Sequence, residues 1–292
     1  MSAEMRRIAL GTAQLGLDYG ISNAGGQVSR REARAILADA AGRGVDLLDT
    51  AAAYGEAEAV IGALRPESDA FAVVTKTIRL PGDDAAAVAG RARASLDRLG
   101  RPAAEALLVH AAADLAGRAG DALWRALADL KAEGAYRRIG ISAYAADDPA
   151  GLARRFRPDL MQVPVSLLDQ RLVRDGTLAA LAASGVEIHA RSLFLQGLVF
   201  LAPERLPPAL AHAGPALAAR RDRAGGDMLG AALHFGLALP EVARLVVGVT
   251  SLAEWRALAA AAAAPSPGLD WPAFALDDAT VLNPAAWRRD GP

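Results

Sequence analysis

Four side chains that can move or stabilise a proton stand at or just beyond the ends of short apolar runs. Asp49, Lys76 and His110 each close such a run, and Tyr54 follows Asp49 by five residues. A tyrosine in water ionises with a pKa near 10, which makes it a poor acid at neutral pH. A buried ammonium beside it stabilises the phenolate, and the ammonium in turn needs a carboxylate partner. The set predicts a proton-transfer site in which Tyr54 is the general acid and His110 orients a carbonyl oxygen.

Each of the four side chains also has a plainer interpretation. Asp49 could cap a helix, Lys76 could be a solvated loop lysine, and His110 could be a satisfied core histidine. Tyr54 could be a packing ring. Taken singly, the plainer roles are the more frequent ones, and it is the convergence of the four types on one face that favours chemistry.

Eight short apolar runs predict the elements that would position these side chains. The runs cover 8–12, 45–50, 71–76, 106–110, 138–142, 160–163, 186–191 and 245–249. Amphipathic segments at 29–44, 84–99, 119–133, 227–239 and 252–264 predict helices between them, the first opening with a capping box of Ser29 and Glu32. Alternation of this kind predicts a parallel sheet, and eight units favour a closed (β/α)8 TIM barrel over an open sheet. Such a barrel carries its chemistry at the carboxyl ends of the strands.

The chain of 292 residues shows no shift in composition that would mark a second domain. We therefore expect a single barrel domain over 1–292, with an insertion at about 197–227 between the seventh and eighth strands. This segment is rich in Pro, Ala and Arg, and it is either a lid over the catalytic face or a surface elaboration.

Composition excludes several classes of site. The absence of cysteine excludes disulfides, thiolate metal sites and a thiol nucleophile. No metal site is expected, since no two of the four histidines form a ligand motif: His110, His189, His212 and His234.

Charge and hydropathy bear on partners and location. The net charge is −1 with both signs interspersed, which argues against nucleic acid or an anionic membrane as a partner. The alanine-rich stretch at 258–264 is too short to span a bilayer, and residues 1–7 lack the apolar segment of a signal peptide. A cytoplasmic location is the default expectation.

A set of short motifs extends over nearly the whole chain. DTAAAYG at 49–55 is followed by TK at 75–76, LVH at 108–110, GISAY at 140–144, MQ at 161–162, RSLFLQGL at 191–198 and VGVTS at 247–251. In this order and approximate spacing, the motifs resemble those of the aldo-keto reductase family. The resemblance implies a reductase that converts an aldehyde or ketone to an alcohol with NADPH or NADH.

The run LGTAQLGLDYG at 10–20, together with the Arg191-Ser192 pair, resembles a bacterial branch of the family. That branch includes uncharacterised reductases and a cell-division regulator described as an oxidoreductase homologue. The alternative function is therefore a cofactor-binding regulator that acts through a protein partner. Two departures from the family pattern favour this alternative. Ala143 replaces a common asparagine, and Arg191 replaces an aromatic ring that stacks on the nicotinamide.

The resemblance also implies a set of cofactor-binding residues. Ser142 and Gln162 are expected to bind the carboxamide of the nicotinamide. Apart from the resemblance, Tyr19, Tyr144 and the segment 197–226 are candidates for lining the substrate pocket. The expected cofactor contacts are Gly11, Thr12, Ser142, Gln162, Arg191, Ser192, Leu193, Gln196, Gly248, Thr250, Ser251 and Arg256. Members selective for NADP carry a basic residue where Thr250 stands, which leaves Arg256 and a helix N-terminus for a 2′-phosphate. We expect NADPH and NADH to bind within about two orders of magnitude of each other.

Overall fold

Eight parallel strands close into a barrel whose order follows the chain. The structure is a computed structural model, and it describes residues 3–78, 85–284 and 287. The strands β1–β8 span Ile8–Gly11, Leu47–Asp49, Ala72–Lys76, Ala104–Val109, Tyr136–Ser142, Leu160–Pro164, Glu187–Arg191 and Val242–Gly248. β1 pairs with both β2 and β8, which closes the sheet. The predicted (β/α)8 barrel is confirmed.

Helices lie before the first strand, between the strands and after the last strand. In chain order, α1–α13 span Ala3–Arg6, Ala13–Gly16, Arg30–Gly42, Ala57–Ala63, Ala85–Leu99, Gly117–Ala132, Pro149–Phe156, Arg171–Arg174, Thr177–Ala183, Gly214–Arg223, Met228–Leu237, Leu252–Ala263 and Ala279–Leu282. Among residues 3–78, 85–284 and 287, no helix is both long enough and apolar enough to cross a membrane.

The predicted strands are all present, but several of their ends were wrong. β8 begins at Val242, three residues before the predicted start, and β4 begins at Ala104, two residues early. The missed residues include charged side chains that break the apolar pattern. Arg244 of β8 pairs with Asp46 at 2.7 Å, and such ion pairs let charged residues occupy the outer surface of the barrel.

The predicted long helices are present, and the short ones were missed. The helices at Ala57–Ala63, Pro149–Phe156 and Thr177–Ala183 have too few turns to show a clear apolar period. The predicted first residue of α5, Asp84, lies outside the described residues. The segment predicted as an insertion, 197–227, contains α10 and short 3₁₀ turns.

The predicted capping box of α3 forms only in part. The Ser29 hydroxyl accepts a hydrogen bond from the Glu32 backbone N–H at 3.2 Å. The Glu32 carboxylate, however, accepts from the backbone N–H of Leu252 at 2.6 Å, at the first turn of α12. Tertiary packing thus turns a local capping residue into a link between α3 and α12, beside the carboxyl end of β8.

Small and medium apolar side chains fill the inside of the barrel. They form one cluster of Ala9, Leu47, Val74, Ala106, Leu108 and Leu160. Because side chains alternate along a strand, a residue two positions beyond an inward-facing one also faces inward. Asp49 stands two positions after Leu47, Lys76 two after Val74, and His110 two after Leu108, so the barrel aims all three polar side chains at its own mouth.

Candidate functional site

A cavity of about 1250 Å³ opens over the carboxyl ends of the strands. Every strand contributes a lining residue at or near its last position: Gly11, Asp49, Lys76, His110, Ser142, Gln162, Arg191 and Gly248. The size exceeds that of a typical pocket for one small molecule, which is about 300–1,000 Å³. The cavity therefore has room for a dinucleotide together with a second ligand.

The most buried charges in the cavity form one ion pair. The Lys76 ammonium donates to the Asp49 carboxylate at 2.6 Å and to the Thr50 carbonyl at 2.9 Å. The second carboxylate oxygen of Asp49 accepts from the Gln162 side-chain amide at 2.6 Å. Burial lowers the pKa of Lys76, but the Asp49 carboxylate and Tyr54 outweigh it and leave that pKa raised. Lys76 consequently keeps its positive charge out of contact with water.

Tyr54 lies directly against this ammonium. The Nζ of Lys76 lies 5.1 Å from the centre of the Tyr54 ring, and Tyr54 contributes to raising the pKa of Lys76. The turn that carries Tyr54 is packed against the end of α2, where a Cβ on Gly16 would overlap the backbone of Tyr54 and Glu56. Gly55 adopts a φ of +53°, which favours glycine. The two glycines fix the position of the phenol above the barrel.

His110 completes the group of four. Its ring meets the Tyr54 ring edge to face, with centroids 5.7 Å apart, and its backbone N–H donates to the Thr77 hydroxyl at 3.2 Å. Burial, reinforced by the Lys76 charge, lowers the pKa of His110 to about 4. The imidazole is therefore uncharged at neutral pH. Its single N–H can donate a hydrogen bond, but the ring does not carry the second proton of an imidazolium. The structure brings all four predicted catalytic side chains together.

Two further tyrosines line the cavity, as the sequence predicted. Burial raises the pKa of Tyr19 to about 12, with the nearby Tyr54 adding to the effect, so Tyr19 remains a phenol. The Tyr144 ring lies under the guanidinium of Arg191, whose central carbon is 4.2 Å from the ring centroid.

Ten of the twelve residues expected to bind the cofactor line the cavity: Gly11, Thr12, Ser142, Gln162, Arg191, Ser192, Leu193, Gln196, Gly248 and Thr250. The other two do not. The Ser251 hydroxyl accepts from the Glu254 backbone N–H at 3.1 Å and caps α12. The exposed Arg256 pairs with Asp39 at 3.1 Å. The structure does not bring Arg256 to the cavity.

The loop after β7 is strained where it borders the cavity. Ser192, Leu195 and Gln196 have φ of 62°, 45° and 52°, values in the left-handed region that cost roughly 1–3 kcal/mol for a non-glycine residue. The loop is held in place by the Ile21 backbone N–H, which donates to the Gln196 carbonyl at 2.9 Å. Clustered strain of this kind is typical of ligand-binding loops.

Sequence reasoning missed the acidic residue at the β8 end of the cavity. The Glu254 carboxylate lines the cavity and accepts from the Thr250 backbone N–H at 2.7 Å. With Glu32 accepting from Leu252, two carboxylates already occupy the N-terminus of α12. The signal was available, because Ser251 and Glu254 have the spacing of a capping box.

Gln14 also lines the cavity and was not predicted, whereas Phe200 and Arg205 line it from the segment 197–227, which the sequence left open as a lid or a surface elaboration. The Gln14 side-chain amide packs against Gly248. A Cβ on Gly248 would lie only 2.6 Å from that amide. Gln14 lies on the short helix α2, and Phe200 and Arg205 follow β7 in the long connection to β8. Residues of such connecting segments carry no periodic signal in the sequence.

Comparison with known proteins gives a consistent match. The model of the Aldo/keto reductase family matches residues 7–272. Aldo-keto reductases of Mycolicibacterium smegmatis and Mycolicibacterium vanbaalenii are 32% identical over 156 residues and 35% identical over 155 residues. Each alignment covers 51% of this chain and 54% or 55% of the relative, so the chain spans about half the length of the curated relatives it matches.

A solved aldo-keto reductase from Bacillus halodurans, in its holo form, has a similar fold. The two chains are 22% identical with a TM-score of 0.72, and the match covers 89% of this chain and 87% of the other. At this identity the similarity supports the barrel fold alone.

The lowered pKa of His110 can be measured directly. We expect the His110 ring to stay neutral from pH 8 to about pH 5, because the group protonates only near its pKa of about 4. Histidine Cε1–H resonances followed by NMR against pH report this, with His110 assigned from a His110→Asn variant. The same resonance in urea-unfolded protein should titrate near the ordinary value of about 6.5. A folded-state midpoint near that value would contradict the buried environment.

Proposed function

Because the chain belongs to the aldo/keto reductase family, we propose that it reduces a small aldehyde or ketone to an alcohol with NADH or NADPH. The observation that carries this proposal is the contact of Tyr54 with the buried Lys76–Asp49 pair at one end of the cavity. The same contact favours catalysis over the alternative of a regulator that binds the cofactor and acts through a protein partner.

The residues around the cavity fit a nicotinamide dinucleotide. Ser142 and Gln162 would hold the carboxamide, and the strained loop at 192–196 with Gly248 would hold the rest of the molecule. Gly248 is glycine because a Cβ there would lie 2.6 Å from the Gln14 amide, which lines the same part of the cavity. When bound, the reduced cofactor supplies a hydride to the carbonyl carbon of the substrate.

The protein's own side chains then manage the proton. The substrate carbonyl oxygen would accept hydrogen bonds from the Tyr54 hydroxyl and from the neutral His110 ring. As this oxygen gains negative charge, it takes the Tyr54 proton and becomes the alcohol. Lys76 stabilises the phenolate that remains, and Asp49, held by Gln162, keeps Lys76 charged and in place.

Removal of the phenol hydroxyl tests this function. Tyr54→Phe should lower the rate of carbonyl reduction by about 10²-fold or more, the usual scale for a general acid, while the Kd for NADH stays nearly unchanged. Tyr136→Phe is a matched control, because the buried Tyr136 hydroxyl donates only to the Ala92 carbonyl at 2.7 Å. The Tyr136→Phe variant should lose about 1 kcal/mol of unfolding free energy and keep nearly wild-type turnover. Near-normal reduction by Tyr54→Phe would exclude Tyr54 as the acid.

The charges at the start of α12 bear on the choice of cofactor. By the family resemblance, a 2′-phosphate would lie at this end of the cavity, and it carries close to two negative charges. Of the cavity-lining residues described, none on β8 or α12 is basic, and the Glu254 carboxylate lies there instead. A carboxylate can accept a hydrogen bond from a ribose 2′-hydroxyl and repels a phosphate. We therefore propose that NADH is the preferred cofactor.

Neutralising Glu254 should change this preference. Wild-type protein should bind NADH about tenfold more tightly than NADPH. Glu254→Gln keeps an oxygen that can accept from Thr250 but removes the charge, so the Kd for NADPH should fall while that for NADH changes little. Glu32→Gln is the control, because Glu32 serves the same helix end without lining the cavity. A preference for NADPH in the wild type, or an equal effect of the two variants, would contradict the assignment.

A further inference from the structure

Arg191 is a partly buried cation whose hydrogen-bonding capacity is poorly used. Its guanidinium donates to the Ser192 hydroxyl at 3.3 Å and to the Ala143 carbonyl at 3.4 Å, both long contacts. Its Nε is buried and has no partner. Within the part of the chain that the structure describes, Arg191 forms no ion pair. A guanidinium removed from water normally needs strong acceptors to offset its desolvation.

Other partly buried arginines of this chain have the acceptors that Arg191 lacks. Arg138 pairs with Glu105 at 2.9 Å and with Glu187 at 2.7 Å. Arg171 pairs with Asp169 at 2.7 Å. Of the two arginines that line the cavity, Arg191 is the partly buried one with long hydrogen bonds and an unpartnered Nε.

The position of Arg191 places its charge beside the reacting groups. It ends β7, lines the cavity, and is close enough to lower the pKa of His110 and to oppose the rise in that of Tyr19. One face of the guanidinium is fixed by the Tyr144 ring, which sets the plane in which its N–H groups point.

The carboxylates that share the cavity are engaged elsewhere. Asp49 pairs with Lys76, Asp147 accepts from the Tyr144 backbone N–H at 2.7 Å, and Glu254 accepts from Thr250 at the β8 end. The second lining arginine, Arg205, is exposed on the segment after β7 and adds to the positive charge. The cavity that holds Tyr54 and His110 thus also presents an arginine that has no anionic partner among the described residues.

Resting on the proposed reductase function, we infer that the substrate carries a carboxylate or a phosphate, and that Arg191 binds this anion beside the carbonyl group. A planar guanidinium matches either anion with two parallel hydrogen bonds. The anion would fix the orientation of the substrate, so that its carbonyl oxygen reaches Tyr54 and His110.

Paired substrates test the inference. 4-Oxobutanoate is compared with butanal, and glyceraldehyde 3-phosphate with glyceraldehyde, and the kcat/KM ratio of the charged to the neutral member is measured. Wild-type protein should favour the charged member of at least one pair by about tenfold or more, and the favoured pair distinguishes carboxylate from phosphate. Arg191→Gln removes the charge and should lower that ratio at least about tenfold, mainly through KM.

Two controls separate substrate binding from other roles of Arg191. Arg220 is likewise partly buried, donates only to carbonyls and has an unpartnered Nε, but it does not line the cavity. Arg220→Gln should leave the ratio unchanged. The Kd for NADH of Arg191→Gln reports any role in holding the cofactor. A ratio unaffected by Arg191→Gln, or no preference for either charged member in the wild type, would overturn the inference.

Binding distinguishes failure of this inference from failure of the proposed function. Should none of the four aldehydes be reduced, the reductase function is wrong, and the anion site is tested by titrating 4-oxobutanoate and glyceraldehyde 3-phosphate into protein saturated with NADH. Binding that Arg191→Gln weakens at least about tenfold would support the anion site. Failure of both compounds to bind would overturn it.

Discussion

The ion pair between Lys76 and Asp49 is buried, with 1% and 4% of the two side chains exposed and 2.6 Å between nitrogen and oxygen. Removing two charges from water costs free energy that their attraction repays only when the remaining hydrogen-bonding groups are also satisfied. Here the Gln162 amide and the Thr50 carbonyl supply those partners. Such a pair is a poor source of stability, but it maintains a fixed positive charge 5.1 Å from the centre of the Tyr54 ring, and the proposed chemistry depends on that charge.

The barrel determines where this charge can be. Asp49 and Lys76 end adjacent strands and face inward because each stands two positions beyond a side chain of the inner core, and His110 follows the same rule on the next strand. Tyr54 reaches them from a turn whose close packing on α2 depends on Gly16. The parts that hold ligands, by contrast, come from loops and from the start of α12, so the same reacting group could serve different substrates and cofactors.

The sequence was sufficient to predict the barrel and the group of four, because apolar runs mark buried strands and the polar residues at their ends must share one face. It was not sufficient to predict which partner a polar side chain would choose among several. These choices depend on tertiary packing between residues far apart in the chain. The examples are Glu32 with Leu252, Arg256 with Asp39 and Gln162 with Asp49. Glu254 was recognisable as a capping residue, but only the folded chain shows that its carboxylate borders the cavity.

The rate of carbonyl reduction by Lys76→Met tests most directly whether the buried charge supports proton transfer from Tyr54. Without the ammonium no positive charge stabilises the phenolate that forms as Tyr54 gives up its proton, so the variant should be about 10²-fold slower or more while its Kd for NADH stays nearly unchanged. Lys131→Met, which removes an exposed lysine paired with Asp159 at 2.6 Å, should leave the rate unchanged. A Lys76→Met variant that reduces carbonyls at nearly the wild-type rate would contradict the account.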